Sequence, residues 1–200
     1  MTSFSKGQAL SMELLQQRIL KDGRIIGTDI LKVDSFLNHQ LDVGLLKEIG
    51  KEFKKRFENK KITKILTIEA SGIAVACMAA LYFGVPVVFA KKYEAGNLDV
   101  DTYESDVFSF TKNKGYRIRV SKRFITQEDR ILILDDFLAN GKAVLGLKDI
   151  VDQSGAMLEG VGIVIEKGFQ AGGRILRDAG LQVESLAILE SMDKGCIRFR

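Results

Sequence analysis

The stretch ILILDDFLANGKAVLG, Ile131–Gly146, decides how this chain is read. Ile131–Leu134 form a continuous apolar run, which suits a central strand buried on both faces. Downstream, Ala143, Val144, Leu147, Ile150 and Val151 share one helical stripe. Asp135 to Asn140 are therefore expected to form the turn where a strand ends and a helix begins. In open α/β sheets, ligands bind at that edge. A helix N-terminus adds unpaired N–H groups and about half a positive charge, which favours phosphate. Ala139, Asn140 and Gly141 are small enough to let the backbone wrap an anion.

The two acids restrict the ligand further. A carboxylate against a phosphate costs on the order of several kcal/mol once water is excluded. A carboxylate against hydroxyls accepts strong, charge-assisted hydrogen bonds. A sugar phosphate offers both groups, and a divalent cation would also reconcile acid with phosphate. The plainer alternative is that Asp135 and Asp136 only cap a helix. The GK pair is no P-loop: Asp136 stands where the first glycine belongs, and Ala143 where Ser or Thr belongs.

Working outward, the pattern alternates. MELLQQRILKDG, from Met12, reads as an amphipathic helix ended by Gly23, and residues 1–11, without periodicity, as a mobile tail. GTDILKVDSFLNHQLD suggests a short strand at ILKV and a loop at Asn38–Gln40. Asp42 looks like the N-cap of a helix whose Leu45, Leu46, Ile49, Phe53 and Phe57 keep helical spacing. Strand ITKILTIE, helix GIAVACMAALYFG and strand VPVVFAKK follow. YEAGNLDVDTYESD is polar and aperiodic, and VFSFTKNKGYRIRVS reads as a hairpin about Asn113–Gly115. Strand RILILDD, helix GKAVLGLKDIVDQSG, strand VGIVIE, helix GGRILRDAG and strand VESLAIL complete the chain. Strands alternating with helices predict an α/β fold: a mostly parallel sheet flanked by helices.

Composition agrees. Two hundred residues, 46% hydrophobic, fit one domain. No apolar run reaches the ~20 residues of a membrane span, and no secretory leader is visible. Cys77 and Cys196 are too few for a disulfide framework; Cys77, inside an apolar helical pattern, is expected in the core of a reduced, cytoplasmic protein. The net charge of +4 is mild. The basic cluster Lys51, Lys54, Lys55, Arg56, Lys60 and Lys61 is interrupted by Glu52 and Glu58, so a solvated helix face is expected and no nucleic-acid partner.

ILILDDFLANGKA resembles the phosphoribosyl-pyrophosphate motif of the type I phosphoribosyltransferases. The loop Ala139–Ala143 departs from the threonine- and glycine-rich form usual there. With LKVDSFLNHQ, IEASGIA, VPVVFAKK and GIVIEKGFQ, it is similar to the bacterial xanthine phosphoribosyltransferases of purine salvage, over residues 12–200. The resemblance implies that Ala139, Asn140, Gly141, Lys142 and Ala143 hold the 5-phosphate and that Asp135 and Asp136 face the ribose as catalytic acids. Ser71 and Gly72 would present N–H groups to pyrophosphate, with Lys91 and Lys92 adding charge. For the base it implies Leu31, Asn38, Lys167 and Phe169. An ammonium suits the acceptors O6 and N7 of a purine; an aromatic ring could stack on it, and an amide could serve the C2 oxygen. His39, the only histidine, is expected to be structural.

Further expectations come with the resemblance: a small N-terminal hood region, a homodimer, and Mg2+ carried by phosphoribosyl pyrophosphate rather than by protein ligands. From its position and polar composition alone, the span Tyr93–Val120 is expected to close over the site. Two alternatives stay open. One is a hypoxanthine or guanine phosphoribosyltransferase; the other is a non-catalytic nucleotide sensor on the same fold. The sensor would usually need a nucleic-acid-binding part, for which the segment ahead of Leu31 is short.

Overall fold

A computed structural model of the chain describes residues 6–93, 101–109, 114–193 and 196–200. The chain begins with α1 (Lys6–Asp22), then β1 (Arg24–Ile26) and β2 (Ile30–Lys32), which pair antiparallel as a small separate ribbon. A π-helical turn, Asp34–Asn38, leads into α2 (Val43–Arg56). There follow β3 (Lys64–Ile68), α3 (Ser71–Phe83), β4 (Val87–Tyr93), β5 (Thr102–Ser109) and β6 (Lys114–Ser121). Next come β7 (Arg130–Leu138), α4 (Lys142–Ser154), β8 (Met157–Lys167) and α5 (Gly172–Asp178). β9 (Val183–Asp193) and β10 (Cys196–Phe199) close the chain.

One eight-stranded sheet carries the molecule, in the order β10-β9-β8-β7-β3-β4-β6-β5. The five inner strands β9, β8, β7, β3 and β4 run parallel, and β10, β6 and β5 add antiparallel edges. Helix α3 carries the chain from β3 outward to β4, whereas α4 carries it the opposite way, from β7 to β8. Right-handed crossovers running in opposite directions must lie on opposite faces of the sheet. The core accordingly has two layers. Phe53, Phe57, Val75, Ala76, Leu132 and Leu134 belong to the layer beneath α1–α3. Ile131, Ile133, Val144, Leu147, Ile150 and Leu176 belong to the layer beneath α4 and α5.

The alternation along β7 explains the unbroken apolar run: each face of the strand has its own core to fill. Asp42 caps α2 as its spacing implied, its Oδ1 accepting from the Leu45 N–H at 3.0 Å. Strand β7 continues to Leu138, so Asp135 and Asp136 lie in the strand and not in the turn after it. Parallel pairing with β8 persists through Leu138↔Glu166 and holds that stretch extended.

Other expectations shift as well. Helix α1 starts at Lys6, ahead of Met12, and so occupies part of the stretch read as a tail; residues 1–5 lie outside the described residues. Extending a formed helix by a few weakly patterned residues needs no new nucleus. Asn38 ends a π-helical turn instead of opening a loop. β5 begins at Thr102, inside the span read as aperiodic, and pairs with β6 as the expected hairpin; residues 110–113, including Asn113 of the turn, are not among those described. β9 extends to Asp193 and β10 was not anticipated, because edge strands need only one apolar face.

Cys77 is exposed, not buried in the core. Helix α3 is apolar on every side, so its sequence does not mark which stripe faces inward; Gly72, Val75, Ala76 and Ala79 do.

Phe53 is fully buried between α2 and the sheet, within contact of Gly162 and among the core side chains with Leu134. Phe53→Ala is expected to lower unfolding stability by about 3–5 kcal/mol, read as a lower urea midpoint with an unchanged slope.

Candidate functional site

The site follows from where β3 and β7 part. Their pairing ends at Leu66↔Ile133, while β7 continues beside β8 alone. Oppositely wound crossovers leave a crevice at such a point, beyond the carboxyl ends of the strands. Past the parting the side-chain alternation of β7 also reverses. Leu132 and Leu134 fill the first core layer; Phe137 packs against that layer too, and Leu138 joins the second. Between them the Asp136 N–H donates to Asp135 Oδ1 at 2.9 Å, a local bond inside the strand.

The two acids are unequal. Asp135 is 4% exposed, and Asp136 is half-buried. Burial pushes the Asp135 carboxyl well above its usual range. The neighbouring Asp136 carboxylate adds to this, while the Asp136 N–H and the distant Lys92 ammonium pull the other way. Asp135 therefore favours the neutral acid, and Asp136 is the less buried member of the pair.

Asp135 also lies against the start of α3. A Cβ placed on Gly72 would stand 2.2 Å from Thr67 Oγ1 and 3.1 Å from Asp135 Oδ1, so only glycine fits there. The Thr67 hydroxyl is fully buried and has no hydrogen-bond partner among the described residues. The Glu69–Ala70 peptide bond just before Ser71 is cis. Glu69 Oε1 accepts from the Lys92 N–H at 2.5 Å, tying this loop to β4.

Ala139, Asn140 and Gly141 form a tight turn into α4. Gly141 has φ of +78°, a conformation that L side chains rarely adopt, and its Cα lies against α5: an added Cβ would be 3.2 Å from the Gly172 Cα. The Gly172 N–H donates to the Ala139 carbonyl at 3.0 Å. No side chain caps α4 at Gly141.

A cavity of about 250 Å³ opens over this loop. Ala139, Asn140, Gly141, Lys142 and Ala143 all line it, together with Lys167. Lys167 donates from Nζ to the Asp29 carbonyl at 2.5 Å and stands 5.9 Å from the centre of the Phe137 ring. Burial lowers the Lys167 pKa, and Asp29 partly restores it. Tyr116 forms part of the opposite wall; burial, and then Asp135, raise its phenol, and the Lys92 ammonium lies 5.4 Å from its ring centre.

The structure thus brings the Ala139–Ala143 loop and Lys167 to one cavity, while Asp135 and Asp136 precede its wall residue Phe137 and are not among its lining residues. Ser71 and Gly72 sit beside Asp135, not in the cavity wall. Leu31 is 6% exposed and packs in the core. Asn38 and Phe169 are exposed and do not line the cavity. Its ring contact comes from Phe137, and Asp29 and Gln170 complete the wall, none of which the sequence reading singled out. Phe137 directly follows the acid pair, and that adjacency was the available signal. His39 lies away from this cavity, in a depression shared with Asp22, Arg24, Lys32 and Asp34.

Among the described residues no three His, Cys, Asp or Glu side chains gather as a metal-binding group. No helix among them is long and apolar enough to cross a membrane.

No family model matches the chain. Curated relatives do. A xanthine phosphoribosyltransferase of Ruminiclostridium cellulolyticum is 68% identical over 188 residues, covering 94% of this chain and 99% of the relative. That of Clostridium novyi is 66% identical, covering 94% and 100%. Among solved structures, adenine phosphoribosyltransferases of Thermoanaerobacter pseudethanolicus and Saccharomyces cerevisiae superpose with a TM-score of 0.73, at 21% and 22% identity. They cover 88% and 89% of this chain, and 98% and 99% of their own. At that identity they establish a shared fold.

The buried acid gives a testable pH dependence. A carboxyl whose folded pKa is raised contributes stability that is complete below the unfolded pKa of about 3.9 and is lost as pH rises through the folded value. Asp135→Asn, which keeps an oxygen to accept from the Asp136 N–H, is expected to gain stability relative to the parent as pH rises from 4 to 8. Thermal melts across that range check it; a parallel pair of pH profiles would contradict a neutral Asp135.

Proposed function

The chain belongs to the xanthine phosphoribosyltransferase family, and from that premise we propose that it transfers the 5-phosphoribosyl group of phosphoribosyl pyrophosphate to xanthine. The products are xanthosine 5′-monophosphate and pyrophosphate. The observation that carries this reading is a single cavity lined both by the Ala139–Ala143 loop and by the half-buried Lys167. In this reading the loop is the cradle for an anion and Lys167 the cation for a purine, both in the wall of one cavity of about 250 Å³.

In this reading the loop N–H groups and the start of α4 hold the 5-phosphate. Asp136 accepts hydrogen bonds from the ribose hydroxyls. Lys167 donates to O6 and N7 of the base, and Phe137 offers an aromatic face worth about 1–3 kcal/mol in stacking. Gln170 Oε1, without a partner among the described residues, is an acceptor beside Lys167 for a ring N–H. Asp29 supplies the wall on the base side and belongs to the same N-terminal segment as Leu31 and Asn38. The Ala70–Gly72 loop and Lys92 flank the pyrophosphate.

The C1–O bond breaks with its electron pair leaving on pyrophosphate, a purine nitrogen forms the new bond to C1, and the proton that the base loses passes to the departing pyrophosphate or to water. No protein nucleophile is required. The chain aligns the three reacting atoms and stabilises charge on the leaving group. Magnesium would travel with the substrate, held mainly by phosphate oxygens and waters. When bound it neutralises charge on the pyrophosphate. The hairpin β5–β6 contributes Val107 and Tyr116 to the cavity wall.

The rival substrates hypoxanthine and guanine share O6 and N7, so rates with each oxopurine at fixed cosubstrate decide among them. Asp136→Asn is expected to raise KM for phosphoribosyl pyrophosphate by about ten- to a hundredfold, the worth of a charged hydrogen bond. Lys167→Ala is expected to raise KM for the base by a similar factor. Wild-type kinetics for both substrates in both variants would refute the assignment.

The protein is also proposed to act as a cytoplasmic homodimer. Two free, exposed thiols suit a reducing compartment. Helix α3, apolar on all sides, leaves Cys77 exposed and Leu81 76% exposed one turn apart, a surface that a second copy would cover. Leu81→Glu is expected to shift the sedimentation coefficient from that of a dimer toward that of a monomer.

A further inference from the structure

Behind the anion loop lies a charged cluster that the transfer reaction leaves without a task. Glu166, next to the end of β8, is 2% exposed. Arg177 of α5 meets it with two parallel bonds, Nη1 to Oε1 at 2.8 Å and Nη2 to Oε2 at 2.7 Å. Ser185 of β9 donates from Oγ to Oε2 at 2.5 Å. Burial works against ionisation, yet the hydrogen bonds from Arg177 and Ser185, with the charges of Arg177 and Arg200, hold the Glu166 carboxyl below its ordinary range. The cluster is a buried carboxylate whose satisfaction depends mainly on one guanidinium.

The backbone of α5 is seated on that pair. A Cβ on Gly173 would stand 1.9 Å from Glu166 Oε1 and 2.6 Å from Arg177 Nη1. One residue earlier, a Cβ on Gly172 would stand 2.3 Å from the Ala139 carbonyl oxygen and 2.6 Å from the Gly141 nitrogen. Ion pair, helix backbone and anion loop are therefore stacked in direct contact. Little else fixes α5: it has seven residues, and Leu176 is its one large buried side chain.

We propose that Glu166, Arg177 and Ser185 are positioning residues for the 5-phosphate cradle, acting through the first turn of α5 on the peptides of Ala139–Gly141. This rests on the functional reading above. The device is directional. Consecutive strand residues point to opposite faces, so Glu166 aims at α5 while Lys167 aims into the cavity. Loosening the pair should disturb phosphate binding and leave base binding nearly unchanged.

The test uses full-length protein, steady-state kinetics for both substrates, and calorimetric titration with ribose 5-phosphate, which needs only the sugar-phosphate end of the site. Arg177→Ala is expected to raise KM for phosphoribosyl pyrophosphate, and to weaken ribose 5-phosphate, by roughly tenfold or more, since small misplacements in a site are costly. KM for xanthine should stay within about twofold, and millimolar guanidinium, but not sodium, should restore part of the loss. Ser185→Ala, a milder change, should move the same constants in the same direction by a smaller factor. Folded variants with unchanged constants for phosphoribosyl pyrophosphate and ribose 5-phosphate would overturn the inference. So would an equal loss toward both substrates, the mark of a merely structural pair. Wild-type protein that fails to bind ribose 5-phosphate would overturn both this inference and the reading beneath it.

Discussion

The parting of β3 from β7 is the constraint on which the site depends. Until Ile133 the two strands share a ladder, and each face of β7 is filled by core. Beyond it β7 has one neighbour, and the opposed crossovers through α3 and α4 leave the crevice uncovered. A carboxylate pair in the middle of a sheet would be costly, because ions resist transfer out of water. Placed where the ladder opens, the pair divides the cost. Asp135 turns inward and favours its neutral form; Asp136 keeps contact with solvent.

This division changes what a double acid can do. Two ionised carboxylates would present a strong negative field directly above a loop meant for phosphate. With Asp135 favouring its neutral form, the pair presents a weaker negative field than two carboxylates would, and so repels a nearby anion less. The geometry around Asp135 supports such a role. It is wedged against Gly72, where no side chain fits, and its Oδ1 accepts from the next peptide. It shapes the strand from which Asp136 and Phe137 project.

Much of this could be read from the sequence, because the relevant signals are local. The apolar run Ile131–Leu134, the small residues Ala139–Gly141 and the stripe on α4 are each set by neighbours within a few positions, and strand, loop and helix follow in that order, although the strand runs on through Asp135 and Asp136 to Leu138. What depends on distant contacts was not legible. Which acid is buried follows from the approach of α3 to β7. The exposure of Cys77 depends on how a uniformly apolar helix is oriented, and uniform helices carry no stripe. The same limit separates Lys167, found in the cavity, from Phe169, which lies two residues on and is 40% exposed. The Lys167–Gln170 turn swings that ring away and brings Gln170 in, its N–H bonding back to the Lys167 carbonyl at 2.9 Å.

Preorganisation at this site therefore comes from backbone contacts more than from side-chain bonds. Gly172 lies so close to the Ala139 carbonyl and the Gly141 nitrogen that a Cβ there would displace backbone, and Gly141 itself holds a positive φ that L side chains rarely adopt. A cradle made of peptides cannot be adjusted by rotating a side chain, so its accuracy must come from the elements that press on it. Rigid donors aimed at a developing charge need no reorganisation as the reaction proceeds. The requirement for accuracy is thereby passed outward, from the loop to the start of α5, and from there to a buried pair that never touches the substrate.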